Sequence, residues 1–263
     1  MDSEIIKFEN VTFGYQDNQP VIFKNLDFSC PGGFVNLTGP NGVGKTTFLL
    51  LAGGRLLPQN GNIFIKNINT KDIESEEERN LLCSFVYQNM EFESDDEAET
   101  LLEYIFQNGN LTPEQKNQSF YNDICKVLEL QGLMKKKLSA LSKGEMQRVI
   151  IAFSLLYGSE ITLMDEPVFA LEEHQKEEIL SFLKNYTKNF NKTIFISLHE
   201  IALSKKYFEK TILFLPKQEI IWGETKEILS KENLEKAFQI PYEMLKDREK
   251  LDRETLIALS KKA

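Results

Sequence analysis

Residues 39–46, GPNGVGKT, carry glycines, a lysine and a threonine at the spacing typical of a phosphate-binding loop. The segment follows a predicted strand, Phe34–Thr38, and precedes a predicted buried helix at 46–52, which is the context that the pattern requires. Glycines let main-chain N–H groups approach phosphate oxygens, and a helix N-terminus adds positive potential. Lys45 would bind the outer phosphates, and the Thr46 hydroxyl would bind Mg²⁺. We predict that this loop holds a triphosphate; the alternative is a chance glycine-rich turn.

An apolar predicted strand at 161–164 ends in two carboxylates, Asp165 and Glu166. The carboxyl end of a parallel strand opens on the same crevice as the phosphate loop. Asp165 would hold Mg²⁺ through its water shell, and Glu166 would be the general base that polarises the attacking water. The alternative is a pair of surface carboxylates at an ordinary strand end.

Ser142 and Gly144 directly precede an apolar helical run at 149–156. Small residues at a helix N-terminus leave N–H donors open to an anion, so this segment is a second candidate anion site. A simple helix N-cap with Ser142 as the capping residue explains the same pattern. From these residues alone, the N-cap is the better explanation.

Predicted strands and helices alternate along the chain, and these elements must position the candidate site residues. Strand patterns occupy 5–15, 21–28, 34–38, 62–66, 83–87, 161–164 and 193–197, with a hairpin at 211–215 and 219–222. Apolar residues recur at helical spacing over 100–157 and 176–185, and a charged helical tail begins at Lys231. Strands that alternate with helices indicate a mostly parallel sheet flanked by helices.

These segments, in this order, resemble the ATP-binding-cassette (ABC) family over about residues 5–225. The counterparts in the family are the adenine-stacking aromatic (Tyr15), the phosphate loop (39–46), the Q-loop glutamine (Gln88), the LSGGQ signature (LSKGE, 141–145), the Walker B pair (Asp165 and Glu166) and the switch histidine (His199). The phosphate loop alone indicates only an NTPase, whereas the signature together with Gln88 and His199 is specific to this family.

The resemblance implies an α/β fold of the P-loop NTPase type. It implies a RecA-like core with a mostly parallel sheet, N-terminal antiparallel strands and a helical subdomain inserted at about 89–157. An ABC ATPase domain would then span 1–228, and a C-terminal helical tail would span 229–263. It also implies a head-to-tail homodimer, in which each ATP lies between the phosphate loop of one chain and the Ser142–Gly144 segment of the other.

The resemblance also implies the site residues and their cofactors, ATP and Mg²⁺. ATP contacts are implied for Tyr15, Gly39, Pro40, Asn41, Gly42, Val43, Gly44, Lys45, Thr46, Thr47, Ser142 and Gly144. Catalytic roles are implied for Glu166, His199, Gln88 and Lys45, and metal contacts for Thr46, Gln88 and Asp165. His199 would contact the γ-phosphate, and Gln88 would link the Mg²⁺ site to a partner subunit. Taken singly, Tyr15 could instead be a strand-end aromatic packed on the core, Gln88 a polar loop residue and His199 a surface histidine.

Three positions depart from the family pattern. Lys143 stands where the signature usually has glycine, and Phe169 and Glu172 stand where the family has a small residue and an aspartate. A long cation beside a partner's triphosphate could help or clash, and the other two changes affect the expected contact between subunits. Slow or asymmetric hydrolysis is therefore an open hypothesis.

The net charge, the apolar runs and the cysteines limit the partners and the cell compartment that the sequence predicts. The 263 residues carry a net charge of −9, which argues against a groove that grips nucleic acid. The apolar runs are too short to cross a bilayer, and the N-terminus lacks the order of a signal peptide. The cysteines, Cys30, Cys83 and Cys125, are far apart and indicate reduced, partly buried thiols in a cytosolic protein.

Several local features resemble the ABC subgroup that takes up iron–siderophore complexes, haem and vitamin B12. These are His174-Gln175, LHEIAL at 198–203 and the segment 223–238. The resemblance implies permease partners and a peripheral position at the cytoplasmic face of the membrane. The acidic run at 91–99 would face basic loops of the permease or would simply be solvated. The alternatives are a soluble ABC ATPase unconnected to transport and a weakly hydrolysing regulatory subunit; the cargo, the direction of transport and a homo- or heteromeric dimer are left open.

Overall fold

The computed structural model describes residues 4–16, 20–88 and 94–247. Its strands are β1 (Glu4–Phe13), β2 (Phe23–Pro31), β3 (Phe34–Thr38), β4 (Asn60–Ile65), β5 (Ile68–Asn69), β6 (Cys83–Val86), β7 (Ile161–Asp165), β8 (Thr193–Ser197), β9 (Lys210–Phe214) and β10 (Ile220–Glu224). Its helices are α1 (Lys45–Ala52), α2 (Glu76–Leu82), α3 (Ala98–Asn108), α4 (Gln118–Val127), α5 (Lys143–Tyr157), α6 (Glu173–Phe190), α7 (Ile201–Tyr207), α8 (Thr225–Ile228) and α9 (Lys231–Phe238).

The central sheet has the strand order β10-β9-β3-β8-β7-β6. Neighbouring strands from β9 to β6 run parallel, and β10 closes the edge as the antiparallel arm of a hairpin with β9. The mostly parallel sheet and the hairpin are therefore confirmed. Because the strands are parallel, the carboxyl ends of β3, β7 and β8 open on one edge. Asp165 pairs in register with Ser197 at that edge.

The N-terminal strands form a separate antiparallel sheet with the order β2-β1-β4-β5, as expected. Helix α1 connects this sheet to the central one. Phe48 on α1 stacks on Phe8 of β1 with ring centroids 4.6 Å apart and meets Phe214 of β9 edge to face at 5.3 Å. Burial of these aromatic rings anchors α1, and with it the loop that precedes it, between the two sheets.

The predicted helical insert contains α3, α4 and α5, which lie between β6 and β7 in the chain. Their apolar faces share a buried cluster with α6, which includes Leu102, Ile124, Leu155 and Leu180. In the tail, Leu234 and Ala237 of α9 belong to the same buried cluster as Leu213 of β9. The domain limits at 1–228, 89–157 and 229–263 stay a prediction. Residues 89–93 and 248–263 lie outside the described residues, as does most of the turn predicted at 17–20.

Four of these elements were not predicted: α2, β5, α7 and α8. Helix α2 has no buried residue, so apolar periodicity gives no signal for it; Ser75 caps it and three glutamates occupy its first turn. Strand β5 is only two residues long. Helix α6 also begins at Glu173, before the predicted 176. The thiols of Cys30, Cys83 and Cys125 are free and buried rather than partly buried. Across the described ranges, no helix combines the length and apolar character needed to span a membrane.

Candidate active site

The phosphate loop connects β3 to α1 and depends on glycine at two points. Gly39 has φ 146°, and a Cβ there would lie 2.8 Å from the carbonyl oxygen of Phe214. Gly44 has φ 99°, and a Cβ there would lie 2.8 Å from Ile22 Cγ2. Gly44 is also the N-cap of α1, which has no acidic residue in its first turn and no side-chain cap. Within the part of the chain that the structure describes, no side chain caps the first N–H groups of α1, which leaves them able to bind an anion.

Lys45 is held beneath this loop. Its side chain is only 7% exposed, and Nζ donates to the carbonyl oxygens of Gly39 and Pro40, each at 2.9 Å. Burial lowers the pKa of Lys45 from its ordinary value, and the carboxylates of Glu166 and Asp165 partly oppose this shift. The sequence therefore places a buried cation between the phosphate loop and the acidic strand end.

Asp165 lies at the end of β7 and is buried between two hydroxyl groups. Thr46 Oγ1 donates to Asp165 Oδ2 at 2.6 Å, and Ser197 Oγ donates to Asp165 Oδ1 at 2.6 Å. The predicted metal ligands Thr46 and Asp165 are therefore adjacent. A hydroxyl and a carboxylate are oxygen donors of the kind that Mg²⁺ selects, with water and phosphate oxygens completing its octahedron. The residues present fit a Mg²⁺–triphosphate complex.

Glu166 follows Asp165 in a left-handed backbone conformation, with φ 50°. Its N–H donates to Ser197 Oγ at 2.9 Å. Its two carboxylate oxygens have separate partners, because Gln88 Nε2 donates to Oε2 at 2.8 Å and His199 Nε2 lies 2.5 Å from Oε1. Two segments that are distant in sequence thus converge on one carboxylate. A positive φ outside glycine is uncommon and clusters at functional sites.

Tyr15 lies two residues beyond the end of β1 and contacts the first turn of α1. Its hydroxyl is 3.1 Å from Thr47 Oγ1, and its ring meets Phe13 edge to face at 5.2 Å. The side chain is 52% exposed, so the ring is not packed into the core. An exposed aromatic ring beside the phosphate loop is compatible with the predicted stacking on adenine.

Ser142 and Gly144 lie at the start of α5. Ser142 is the N-cap and forms a reciprocal capping box with Glu145. A hydrogen bond from Lys136 and the backbone N–H of Ser142 lower the pKa of Glu145 to about 2. Among the described residues, no hydrogen bond joins Ser142 to the cluster around Glu166. The capping interpretation is confirmed for the single chain, and the anion-site interpretation stays a prediction about a dimer.

Ser197 was not predicted as a site residue. It is fully buried at the end of β8 and joins the Asp165 carboxylate to the Glu166 main chain. The available signal was a hydroxyl residue at the carboxyl end of an otherwise apolar parallel strand, two positions before His199.

A family model described as ABC transporter matches residues 23–169, more than half of the chain. The chain belongs to the ABC transporter family. This confirms the predicted P-loop NTPase fold. It also makes the protein an ATPase that binds ATP with Mg²⁺.

Relatives of this ABC ATPase serve different transporters. It is 28% identical to the petrobactin import ATP-binding protein FatE of Bacillus anthracis, over 92% of this chain and 96% of FatE. It is 33% identical to the lipoprotein-releasing system ATP-binding protein LolD of Ehrlichia canis, over 78% and 90%. A solved dimeric cassette of Methanocaldococcus jannaschii, in a post-hydrolysis state with ADP and Pi, has a TM-score of 0.67 at 29% identity, covering 80% of this chain and 94% of that one. Because these relatives include both an import protein and a lipoprotein-releasing protein, the similarity defines the family and not a transport subgroup.

The acidic run of this ABC ATPase has partners within the chain. Lys135 forms ion pairs with Glu97 and Glu99, and Lys137 lies 3.3 Å from Asp95. Residues 91–93 lie outside the described residues. The described carboxylates are thus already partly neutralised, which favours the solvated-loop interpretation over a surface for basic permease loops.

Proposed function

We propose that this ABC ATPase hydrolyses ATP with Glu166 as the general base and energises transport through partner permease chains. The observation that carries the proposal is the convergence of Gln88 and His199 on the two oxygens of Glu166, beside the Thr46–Asp165 pair. A general base must be oriented as well as basic. Two partners from separate segments fix the orientation of this carboxylate.

The other residues bind and orient the nucleotide. The loop amides and Lys45 hold the outer phosphates, and Tyr15 stacks on adenine. Thr46 and Asp165 hold Mg²⁺, which neutralises phosphate charge when bound. Glu166 takes the proton of the attacking water. His199, whose Nε2 lies 2.5 Å from Glu166 Oε1, contacts both this base and the γ-phosphate.

We propose a head-to-tail dimer as the active form. The dimeric state of the similar cassette with ADP and Pi supports it. In this arrangement the N-terminus of α5, with Ser142 and Gly144, completes the nucleotide site of the partner. Gly144 packs against the loop after β7, where a Cβ would lie 3.0 Å from the carbonyl oxygen of Ala170. The start of α5 and the loop that follows Glu166 would therefore meet a partner together.

The proposed partners are transmembrane permeases, and the proposed location is the cytoplasmic face of the membrane. Transporter names among the relatives support this assignment. Uptake of an iron chelate, haem or a cobalamin-like cargo is supported by the segments 198–203 and 223–238 and by the similarity to a petrobactin importer. Co-purification from membranes with a permease tests the assignment to a transporter. Recovery only in the soluble fraction would favour the soluble ABC ATPase.

Replacement of Glu166 by Gln tests the catalytic assignment. We expect steady-state hydrolysis to fall by about 10²–10⁴-fold, because the base is lost while the hydrogen-bonding shape is kept. The Glu166→Gln variant should still bind Mg-ATP, whereas Lys45→Ala should abolish binding. Glu160→Gln is the matched control, since Glu160 precedes β7 at the opposite end of the strand. Glu166→Gln hydrolysis equal to that of the control would refute the assignment.

A weakly hydrolysing regulatory subunit is the second candidate. Lys143 is the exposed first residue of α5, and Glu172 is engaged as the N-cap of α6 in a capping box with Gln175. Both residues differ from the family pattern, and both lie on the surface that is proposed to meet a partner subunit. A Lys143→Gly variant with much faster turnover than the parent would favour the regulatory function. Equal turnover would leave no reason to propose a regulatory subunit.

A further inference from the structure

A buried lysine outside the proposed catalytic cluster binds the residue that follows His199. Lys176 on α6 is only 2% exposed, and its Nζ donates to Glu200 Oε1 at 2.5 Å. A buried ammonium is unfavourable unless it is paired and hydrogen-bonded. The contact therefore fixes the position of Glu200 relative to α6.

Glu200 in turn sets the start of α7. It is the N-cap of that helix, and its carbonyl oxygen accepts from the N–H and the hydroxyl of Ser204, at 3.0 and 2.9 Å. His199 is the preceding residue, in the segment that joins β8 to α7. The position of Glu200 therefore determines where the imidazole of His199 meets Glu166.

Helix α6 is itself anchored near its first turn. Gln175 Nε2 donates to Glu129 Oε2 at 2.5 Å, and Arg148 on α5 donates to the same oxygen at 3.0 Å. The pairs at Glu129 and at Lys176 thus form a continuous series of contacts from α5 to the His199 segment. Because these contacts fix the start of α6, Lys176 on that helix can hold Glu200 in a defined position.

We infer that Lys176 is a positioning residue for ATP hydrolysis, which holds His199 in register with Glu166 through Glu200. The inference rests on the catalytic assignment of Glu166 and His199 proposed above. Lys176 is not a catalytic residue, because it contacts neither Glu166 nor the phosphate loop in the described hydrogen bonds. Its effect should appear in kcat and not in nucleotide binding.

The test compares Lys176→Met with Lys206→Met in the purified full-length ATPase. Both lysines join α6 to α7, but Lys206 pairs with Glu177 at 2.7 Å while 53% exposed. We expect Lys176→Met to lower kcat by about 10- to 100-fold, since small displacements of a catalytic group cost up to about a hundredfold. The KM for ATP should change by less than about twofold, and Lys176→Arg should restore part of the rate. Lys206→Met should stay within about twofold of the parent, because an exposed pair contributes little.

A double-mutant cycle with His199→Ala separates positioning from general structural damage. In the His199→Ala background, Lys176→Met should cause no further loss of kcat, because the group that it positions is gone. Additive losses, or an unchanged kcat in Lys176→Met, would overturn the inference alone. An unchanged kcat in His199→Ala would overturn the catalytic assignment and the inference with it. If Lys176→Met does not fold, Glu200→Gln replaces it in the cycle with the same expected non-additivity, and additive losses there would equally overturn the inference.

Discussion

Replacement of Ser197 by Ala should destabilise the fold through two lost hydrogen bonds of different kinds. The hydroxyl donates to the charged Asp165 carboxylate at 2.6 Å and accepts from the Glu166 N–H at 2.9 Å. A hydrogen bond to a charged group contributes about 1.5–3 kcal/mol, and an unpaired buried N–H costs about 1–3 kcal/mol. Asp165 keeps Thr46 as a partner, which moderates the sum. We expect the free energy of unfolding to fall by about 2–4 kcal/mol.

Ser204→Ala is the matched control. Ser204 is also fully buried, but its hydroxyl donates to the neutral carbonyl of Glu200, which keeps the Ser204 N–H as a donor. No group is left unpaired, so the expected cost is about 0.5–1.5 kcal/mol.

Urea unfolding followed by circular dichroism and by the fluorescence of Trp222, the single tryptophan, measures both variants. Coincident transitions with unchanged m values justify the comparison. The reasoning would be refuted if the midpoint of Ser197→Ala fell no further than that of Ser204→Ala. In that case the hydroxyl would not be what holds Asp165 and Glu166 together.

Two further predictions concern the phosphate loop and the start of α5. Gly39→Ala should cost at least about 2 kcal/mol in unfolding free energy and weaken nucleotide binding, because its φ of 146° is unfavourable for alanine and its Cβ would press on Phe214. Gly42→Ala, with φ 79° but no atom within 4 Å of its Cβ, should cost less in the same urea titration; equal costs would contradict the steric argument. Glu145 has its pKa lowered from 4.5 to about 2, so its contribution to stability is present above pH 4.5 and is lost as the pH falls toward 2. Melting temperatures of Glu145→Gln should lack this part of the acid dependence, and parallel curves for the two proteins would contradict it.

The elements around the nucleotide were predictable because their signals are strong. Strands β3 and β8 were predicted with the bounds they have, since strands buried in a parallel sheet are short apolar runs. The phosphate loop and the Asp165–Glu166 pair came directly from residue type and spacing. The convergence on Glu166 did not, because Gln88 is 78 residues away in sequence and His199 is 33. Only the family resemblance suggested that these residues share a site.

No sequence pattern distinguishes Ser197 and Lys176, which make the remaining contacts, from ordinary strand-end serines and surface lysines. A serine at the end of an apolar strand is compatible with many environments, and Ser197 shows its role only through the register of β8 with β7. Lys176 lies on an amphipathic helix where a lysine normally indicates the solvated face, yet tertiary packing buries it against Glu200. Pairwise burial of charge depends on the distance between helices, which a single sequence does not specify.

The left-handed backbone of Glu166 has a consequence for protein engineering. Glycine adopts φ 50° without steric penalty, so Glu166→Gly would relieve the backbone strain at this position. That replacement would also remove the carboxylate on which Gln88 and His199 converge. Selection for stability alone therefore does not protect this carboxylate, so directed evolution of this ATPase should select for turnover in every round.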